Sequence, residues 1–283
     1  MYSWQSLLGF QSNSILTLST CQLSSFLCPA KVNELSKIKI GAVSYLNTKP
    51  LLYGMQEPAF LEQHELLLDY PAHIADLLNA GVIDIGLVPV AQLPQLSEYQ
   101  IVSKFGIASD HDVASVCLFS EVPLTHIETI YLDYQSRSSV ALLKLLMHEF
   151  WGIHPVLINA SDETYRTKIS GSTAALVIGD RAFEQRRLST YVYDLAAEWR
   201  AMTGLPFVFA VWASVKPMSS EWKEQFDAVN SQGLSRLDEI AEAQKYSVFN
   251  LQLYYHHHIA YELTDERLKG MRRFLEMINV RQS

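Results

Sequence analysis

The segment from residue 37 to residue 51 constrains the fold of this chain more than any other part of the sequence. It reads Lys-Ile-Lys-Ile-Gly-Ala-Val-Ser-Tyr-Leu-Asn-Thr-Lys-Pro-Leu. Its first half is short and mostly apolar, which is typical of a strand buried in a parallel sheet. In its second half, Asn47 or Thr48 is a suitable N-cap, and Pro50 suits the first turn of a following helix. A strand that leads through a polar turn into a helix predicts an α/β fold.

Open α/β sheets bind ligands at the carboxyl ends of their strands, where helices begin and leave backbone N–H groups free. The turn after the first strand is dense in hydrogen-bonding side chains, namely Ser44, Tyr45, Asn47, Thr48 and Lys49. One interpretation is that Tyr45 and Asn47 face a ligand. The other is that this is an ordinary first strand and turn.

The same order of strand, turn and helix recurs along the chain. Predicted strands cover residues 65–70, 82–89, 99–108, 113–120, 129–133, 155–158, 174–180, 191–195 and 205–213. A helix is predicted to begin at Pro71 and to close at Gly81, and further helices are predicted to end near Gly152 and at Gly204. From residue 219 onward every segment is predicted to be helical, with Thr264 as the cap of the last helix.

A break at residues 121–124, followed by a new strand, polar turn and helix, predicts two lobes. Residues 37–120 and 210–283 are assigned to the first lobe and residues 121–209 to the second. Residues 1–36 are predicted to be a loosely ordered N-terminal extension. Two α/β lobes joined by two crossings predict a type II periplasmic-binding-protein-like fold, with the ligand in a cleft between the lobes.

Composition narrows the choice of partner and compartment. The formal net charge of -8 over 283 residues argues against a nucleic-acid partner, which normally meets a basic face. No apolar run approaches the roughly 20 residues needed to span a bilayer. Only three cysteines occur, so neither a disulfide framework nor a zinc site is predicted. The first thirty residues contain no Lys or Arg, so a cytoplasmic protein is expected, with an atypical signal peptide as the alternative.

The turn Ser136-Arg137-Ser138-Ser139 is the second candidate site. Hydroxyl groups and N–H groups at the start of a helix suit a carboxylate, and an arginine adds a matching fork of donors. The alternative is that one serine merely caps the helix. Ser115 could face the cleft or the core, and Asp180 could bind a ligand or cap the following helix.

No metal or cofactor site is predicted. Consecutive helical positions point about 100° apart, so His256, His257 and His258 cannot converge on one ion from a helix. The sequence contains no phosphate loop, nucleophile elbow, Cys-x-x-Cys pair or dinucleotide fingerprint.

Several of these segments together resemble the chorismate dehydratase family of the futalosine route to menaquinone. They are residues 43–51, 86–89, 136–140, 178–180 and 203–212. The resemblance implies a two-lobed, cytoplasmic enzyme that converts chorismate to 3-[(1-carboxyvinyl)oxy]benzoate and water without a cofactor. It implies polar cleft positions for Asn47 and Ser115, which we take as the catalytic pair, and a substrate carboxylate at the turn of residues 136–139.

Tyr45, Arg137 and Asp180 complete the predicted substrate-binding set. Because no Glu or His lies in the matched segments, a carboxylate of the substrate itself is a candidate base. Two alternatives remain open from the sequence. One is the related 1,4-dihydroxy-6-naphthoate synthase, and the other is a non-catalytic solute-binding protein of the same fold.

Overall fold

A computed structural model describes residues 37–96 and 98–279, so the predicted N-terminal extension lies outside the described residues. In chain order the strands are β1 (Ile38–Val43), β2 (His64–Asp69), β3 (Ile85–Pro89), β4 (Gln100–Ser109), β5 (Val116–Ser120), β6 (Thr129–Leu132), β7 (Val156–Asn159), β8 (Thr173–Ile178), β9 (Tyr191–Asp194), β10 (Phe207–Ser214) and β11 (Ala260–Glu262).

The α-helices are α1 (Lys49–Leu52), α2 (Pro58–Gln63), α3 (Pro71–Asn79), α4 (Ser138–Leu146), α5 (Arg181–Gln185), α6 (Leu195–Thr203), α7 (Ser220–Leu234), α8 (Leu237–Ala243), α9 (Leu251–Leu253) and α10 (Asp265–Asn279). Two π-helical turns, Met147–Trp151 and Tyr254–His258, follow α4 and α9. Short 3₁₀ segments occupy Leu46–Thr48, Gly54–Gln56, Val90–Gln95, Leu124–His126 and Glu163–Lys168.

The strands form two mixed sheets, one in each lobe. The first sheet has the order β11-β4-β10-β3-β1-β2, and the second has the order β7-β6-β8-β5-β9. In the first sheet β1 runs parallel to β2 and β3, whereas β10 runs antiparallel to β3 and β4. In the second sheet β6 runs parallel to β7 and β8, and β5 is antiparallel to β8 and β9. The predicted two-lobed α/β architecture is confirmed.

The two crossings between the lobes lie a few residues away from the positions predicted from the sequence. Strand β5 pairs with β8 and β9, so the chain leaves the first sheet at residues 110–115 and not after residue 120. Strand β10 begins at Phe207, so the return precedes residue 210. Both strands are buried along their whole length. A fully apolar strand carries no periodicity that would reveal which sheet it joins.

Two further local expectations were wrong. Neither Asn47 nor Thr48 makes a side-chain cap to α1, because residues 46–48 already form a 3₁₀ turn that runs directly into the helix. The C-terminal part is not wholly helical either, since β11 pairs with β4 at the edge of the first sheet. The cap predicted at Thr264 is present, since its Oγ1 accepts a hydrogen bond from the Arg267 amide at 3.4 Å.

One buried aspartate, Asp194, stabilises the second lobe where it meets the first. The carboxylate of Asp194 accepts hydrogen bonds from the amides of Val113 and Ala114 in the first crossing, at 3.0 and 2.8 Å. It also caps α6 through the amides of Ala196 and Ala197. One side chain therefore fixes both the crossing, where Ala114 has a positive φ of 61°, and the helix that leads to the return strand.

Candidate active site

A cavity lies between the two sheets, at the carboxyl ends of β1, β3 and β8 and at the start of α4. The empty space between its walls, including its opening to solvent, is about 520 Å³. Most of its walls are apolar, and the polar groups are confined to two turns. Its lining residues are Val43, Tyr45, Asn47, Thr48, Pro71, Leu87, Pro89, Ile107, Val113, Val116, Ser136, Ser138, Ser139, Ile178, Gly179, Phe209 and Ala210.

The 3₁₀ turn after β1 presents Asn47 to this cavity. The Asn47 Oδ1 atom accepts a hydrogen bond from the Thr48 hydroxyl at 3.1 Å. No acceptor for its Nδ2 amide is found among the residues that the structure describes. A half-buried amide donor at the cavity wall is therefore available to a ligand.

The first turn of α4 supplies the other polar wall. The amide of Ser139 donates to the Ser136 hydroxyl at 3.1 Å, and that hydroxyl donates to the Ser139 hydroxyl at 2.8 Å. Ser136 therefore caps the helix, and the part of the chain that the structure describes offers no acceptor for the hydroxyl hydrogen of Ser139, which is available as a donor. The first N–H groups of any α-helix lack partners inside the helix. This turn can therefore hold an anion.

Ser138 has a different position from its two neighbours. Its hydroxyl accepts a hydrogen bond from the Ala91 amide and donates one to the Phe209 carbonyl, both at 3.1 Å. Both partners belong to the first lobe. Ser138 therefore joins the lobes across the cavity.

Tyr45 also joins the lobes, because its hydroxyl donates to the side-chain oxygen of Gln135. Burial raises the pKa of Tyr45, so the phenol stays protonated at neutral pH. The backbone amide of Gln135 is held in turn by the Asp133 carboxylate at 2.9 Å. That buried carboxylate also accepts hydrogen bonds from the Tyr165 hydroxyl and from Arg181. This network fixes the turn that leads into α4.

Three predicted site residues do not line the cavity, and each has a protein partner. The Arg137 guanidinium pairs with Asp76 at 2.8 Å and donates to Gln92, which places it on the outside of the interlobe contact. The Ser115 hydroxyl is fully buried and accepts from the Tyr254 hydroxyl at 2.8 Å. Their predicted contacts with substrate stay predictions.

The third of these residues, Asp180, accepts a hydrogen bond from the Leu46 amide, with 3.0 and 3.3 Å to its two oxygens. Burial raises the pKa of this carboxyl to about 6, although Lys49 and Arg181 act in the opposite direction. The structure therefore joins Asp180 to the Asn47 turn and not to the cavity wall.

The cavity lining contains no Asp, Glu, His, Lys or Arg, and Tyr45 is its one ionisable side chain. Among residues 37–96 and 98–279, no cluster of three or more His, Cys, Asp and Glu side chains could hold a metal ion. No helix in the same part of the chain is long and apolar enough to cross a membrane. The cavity thus offers neutral donors and apolar walls for a small molecule with an anionic group.

Sequence reasoning missed Tyr254 and Tyr255, which lie behind the cavity. The Tyr255 hydroxyl donates to the Leu46 carbonyl at 3.1 Å, and the Tyr254 hydroxyl reaches Ser115. The sequence predicted only that this segment is helical. No local pattern indicates that the side chains of this distant segment hold the first turn.

Residues 38–279 match the sequence model of a protein family described as menaquinone biosynthesis. The chain belongs to the menaquinone biosynthesis family. A relative of this menaquinone biosynthesis protein is the chorismate dehydratase of Thermus thermophilus. The two are 30% identical over 264 residues, which cover 85% of this chain and 95% of the relative.

Solved structures place the menaquinone biosynthesis chain among periplasmic binding protein folds. A protein of Archaeoglobus fulgidus is similar with a TM-score of 0.69 and 13% identity, covering 87% of this chain and 98% of the other. The periplasmic aliphatic sulphonate binding protein of Escherichia coli gives a TM-score of 0.58 and 14% identity, with 87% and 92% covered. At such identities the likeness concerns the fold alone.

Proposed function

We propose that this protein is a chorismate dehydratase, which converts chorismate to 3-[(1-carboxyvinyl)oxy]benzoate and water in menaquinone biosynthesis by the futalosine route. One observation carries the proposal. The chain is 30% identical to a chorismate dehydratase over 95% of that enzyme's length. The family match at residues 38–279 includes every residue that lines the cavity.

The reaction needs little from the protein beyond orientation. The carbon–oxygen bond of the ring hydroxyl breaks, and a proton leaves the neighbouring ring carbon. The electrons of that carbon–hydrogen bond complete an aromatic ring, and the hydroxyl departs with a proton as water. Because aromatisation supplies the driving force, the enzyme has to anchor the carboxylates, assist the departing hydroxyl and hold the base in position.

The two polar turns divide this work. The start of α4, with the Ser139 hydroxyl, holds one carboxylate of the substrate through neutral donors and the helix dipole. The apolar side chains of Leu87, Ile107 and Phe209 enclose the ring. The Asn47 amide donates to the departing hydroxyl or orients the second carboxylate.

The proton goes to the substrate itself. The cavity wall carries no carboxylate or imidazole, and Tyr45 is held protonated by burial. A substrate carboxylate held by neutral donors keeps its negative charge in an apolar cavity. Desolvation there raises its basicity, which suits it to take the ring proton. This account requires no cofactor and no partner other than the small-molecule substrate.

A cytoplasmic location is part of the same proposal. Cys117 is a free, buried thiol, which fits a reducing compartment. A solute-binding protein and a 1,4-dihydroxy-6-naphthoate synthase are the competing functions. Mass spectrometry and proton NMR after incubation with chorismate separate the dehydratase from both: a dehydratase gives a product lighter by one water with aromatic ring protons, whereas either competing function leaves chorismate unchanged.

A further inference from the structure

The peptide groups of Leu46 are held from two sides, immediately before Asn47. The Asp180 carboxylate, at the end of the second lobe's β8, accepts from the Leu46 amide at 3.0 Å. The Tyr255 hydroxyl, from the π-helical turn near the C-terminus, donates to the Leu46 carbonyl at 3.1 Å. Leu46 and Tyr255 are both buried. These two contacts are termed the Leu46 clamp.

The residue before Asp180 makes this contact possible. Gly179 has a φ of +67°, and a Cβ atom there would lie 3.1 Å from the ring of Tyr45. Its amide donates to the Ser115 carbonyl at 2.8 Å. The end of β8 is therefore fitted against Tyr45 and Leu46 at close range. The backbone conformation at this turn therefore directs the Asp180 side chain toward the Leu46 amide.

Charges around Asp180 do not explain why an acid is placed here. Lys49 and Arg181 favour its ionised form, but neither forms an ion pair with it among the described residues. The hydroxyl groups of Tyr45, Tyr246, Tyr254 and Tyr255 interact electrostatically with Asp180, but each of them donates its hydrogen bond to a group other than the Asp180 carboxylate. Its closest partner is the Leu46 amide. A half-buried acid whose carboxylate accepts from one backbone donor indicates a positioning role.

We propose that Asp180 is a positioning residue: through the Leu46 amide it holds the Asn47 turn of the first lobe against the second lobe, so that the Asn47 side chain meets the substrate. This inference rests on the proposed function, in which Asn47 acts on chorismate. It replaces direct substrate binding as the role of Asp180.

Kinetics of single variants test the proposal on chorismate. Asp180→Ala removes the acceptor, and we expect kcat to fall about 10- to 100-fold with KM within about threefold, as misplacement of a reacting group produces. Asp180→Asn keeps an acceptor oxygen and is expected to stay within about threefold of wild type. If both variants raise KM and leave kcat unchanged, Asp180 binds substrate directly and the proposal is wrong.

A double variant tests whether Asp180 acts through Asn47. Once Asn47 is alanine, its position no longer matters, so Asn47→Ala with Asp180→Ala should be no slower than Asn47→Ala alone. Losses that multiply would contradict the proposal. Asp162→Ala is the matched control, because Asp162 also accepts a backbone amide, from Thr164 at 2.9 Å, on the outer surface of the second lobe. It should leave turnover unchanged.

Hydrogen exchange at the Leu46 amide separates this inference from the proposed function. In Asp180→Ala the Leu46 amide should exchange its hydrogen at least about tenfold faster than in wild type or in Asp162→Ala. This expectation holds whatever the protein's substrate is. If Asp180→Ala does not fold, Tyr255→Phe takes its place, because it removes the other contact of the Leu46 clamp. Exchange at the Leu46 amide should then also be faster than in wild type. Unchanged exchange at Leu46 in folded variants overturns the clamp, whereas wild type that leaves chorismate intact overturns only the dehydratase assignment.

Discussion

At the scale of single residues, Asn47 carries the most specific chemical expectation. Its amide donor faces the cavity and is uncommitted among the residues that the structure describes. Removal of one preorganised donor typically costs about 10²–10³ in turnover. We expect Asn47→Ala to lower kcat for chorismate by that factor while changing KM much less, because the α4 turn still anchors the substrate. Steady-state kinetics with circular dichroism as a folding control make the measurement. Normal turnover in a folded variant would remove Asn47 from the site.

A second residue-scale prediction concerns stability and pH. Because burial raises the pKa of Asp180 from 3.8 to about 6 in the folded protein, its protonated form is favoured by folding. Its contribution to stability is complete below about pH 4 and is lost as the pH rises through about 6. Asp180→Asn does not titrate. It should unfold with a free energy similar to wild type near pH 4 and higher by roughly 1–3 kcal/mol at pH 7.

Urea unfolding at several pH values between 4 and 7 measures this difference. An Asn variant less stable than wild type at pH 7 would show that the charge of Asp180 stabilises the fold, contrary to this account.

Cavity residues were predictable from the sequence where their position depends on local structure, and less so where it depends on tertiary contacts. Tyr45, Asn47, Ser136, Ser138 and Ser139 all line the cavity, because strand ends and helix starts have a fixed place in this fold. The partners of buried side chains are set by segments far away along the chain. No pattern around residue 180 indicates that its carboxyl reaches residue 46 and not the cavity.

At the scale of elements, the turn after β8 packs closely against the first lobe at Gly179. Gly179→Ala would place an L-residue in the left-handed region, at a cost of about 1–2 kcal/mol. It would also push the Tyr45 ring, which lies 3.1 Å from the added Cβ. Gly171→Ala is the matched control, since Gly171 also has a positive φ, +53°, but open space around it. In urea Gly179→Ala should lose at least as much stability as Gly171→Ala, and only Gly179→Ala should lose turnover. Equal turnover in the two would show that the contact with Tyr45 is unimportant.

The start of α4 leads to a different expectation, one of binding. A hydrogen bond to a charged group contributes about 1.5–3 kcal/mol, so Ser139→Ala should raise KM for chorismate roughly 10- to 100-fold. The Ser136 cap remains in this variant, and kcat should change less than KM. Ser235→Ala is a suitable control, because the Ser235 hydroxyl is also near a helix end but donates to Gln232 on the surface. An unchanged KM in Ser139→Ala would return this turn to a purely structural role.

Helices and strands were predictable where the sequence has a periodic apolar pattern or a Pro or Gly residue at the boundary of the element. Pro71 and Gly204 mark helix boundaries that the structure has, at the start of α3 and the end of α6. The lobe membership of β5 and the presence of β11 were not predictable. Both depend on which distant strand offers a free edge, and that information is absent from either segment.

At the scale of the whole molecule, the walls of the cavity are held together by hydrogen bonds and an ion pair between the lobes. The hydroxyl of Ser138, the guanidinium of Arg137, the phenol of Tyr45 and the carboxylate of Asp180 each reach the opposite lobe. These contacts break if the lobes separate. The residues that surround the reaction therefore also hold the two lobes together around it.

The ultraviolet spectrum of chorismate during incubation with purified wild-type protein tests the central claim most directly. The account predicts that the cyclohexadiene absorbance disappears with multiple turnovers and that a benzoate spectrum replaces it, one product formed for each chorismate consumed. Ser235→Ala should match the wild type in the same assay, and Asn47→Ala should be slower by the factor given above. Saturable binding of chorismate with no change in its spectrum would contradict the account and identify the protein as a binder of this compound.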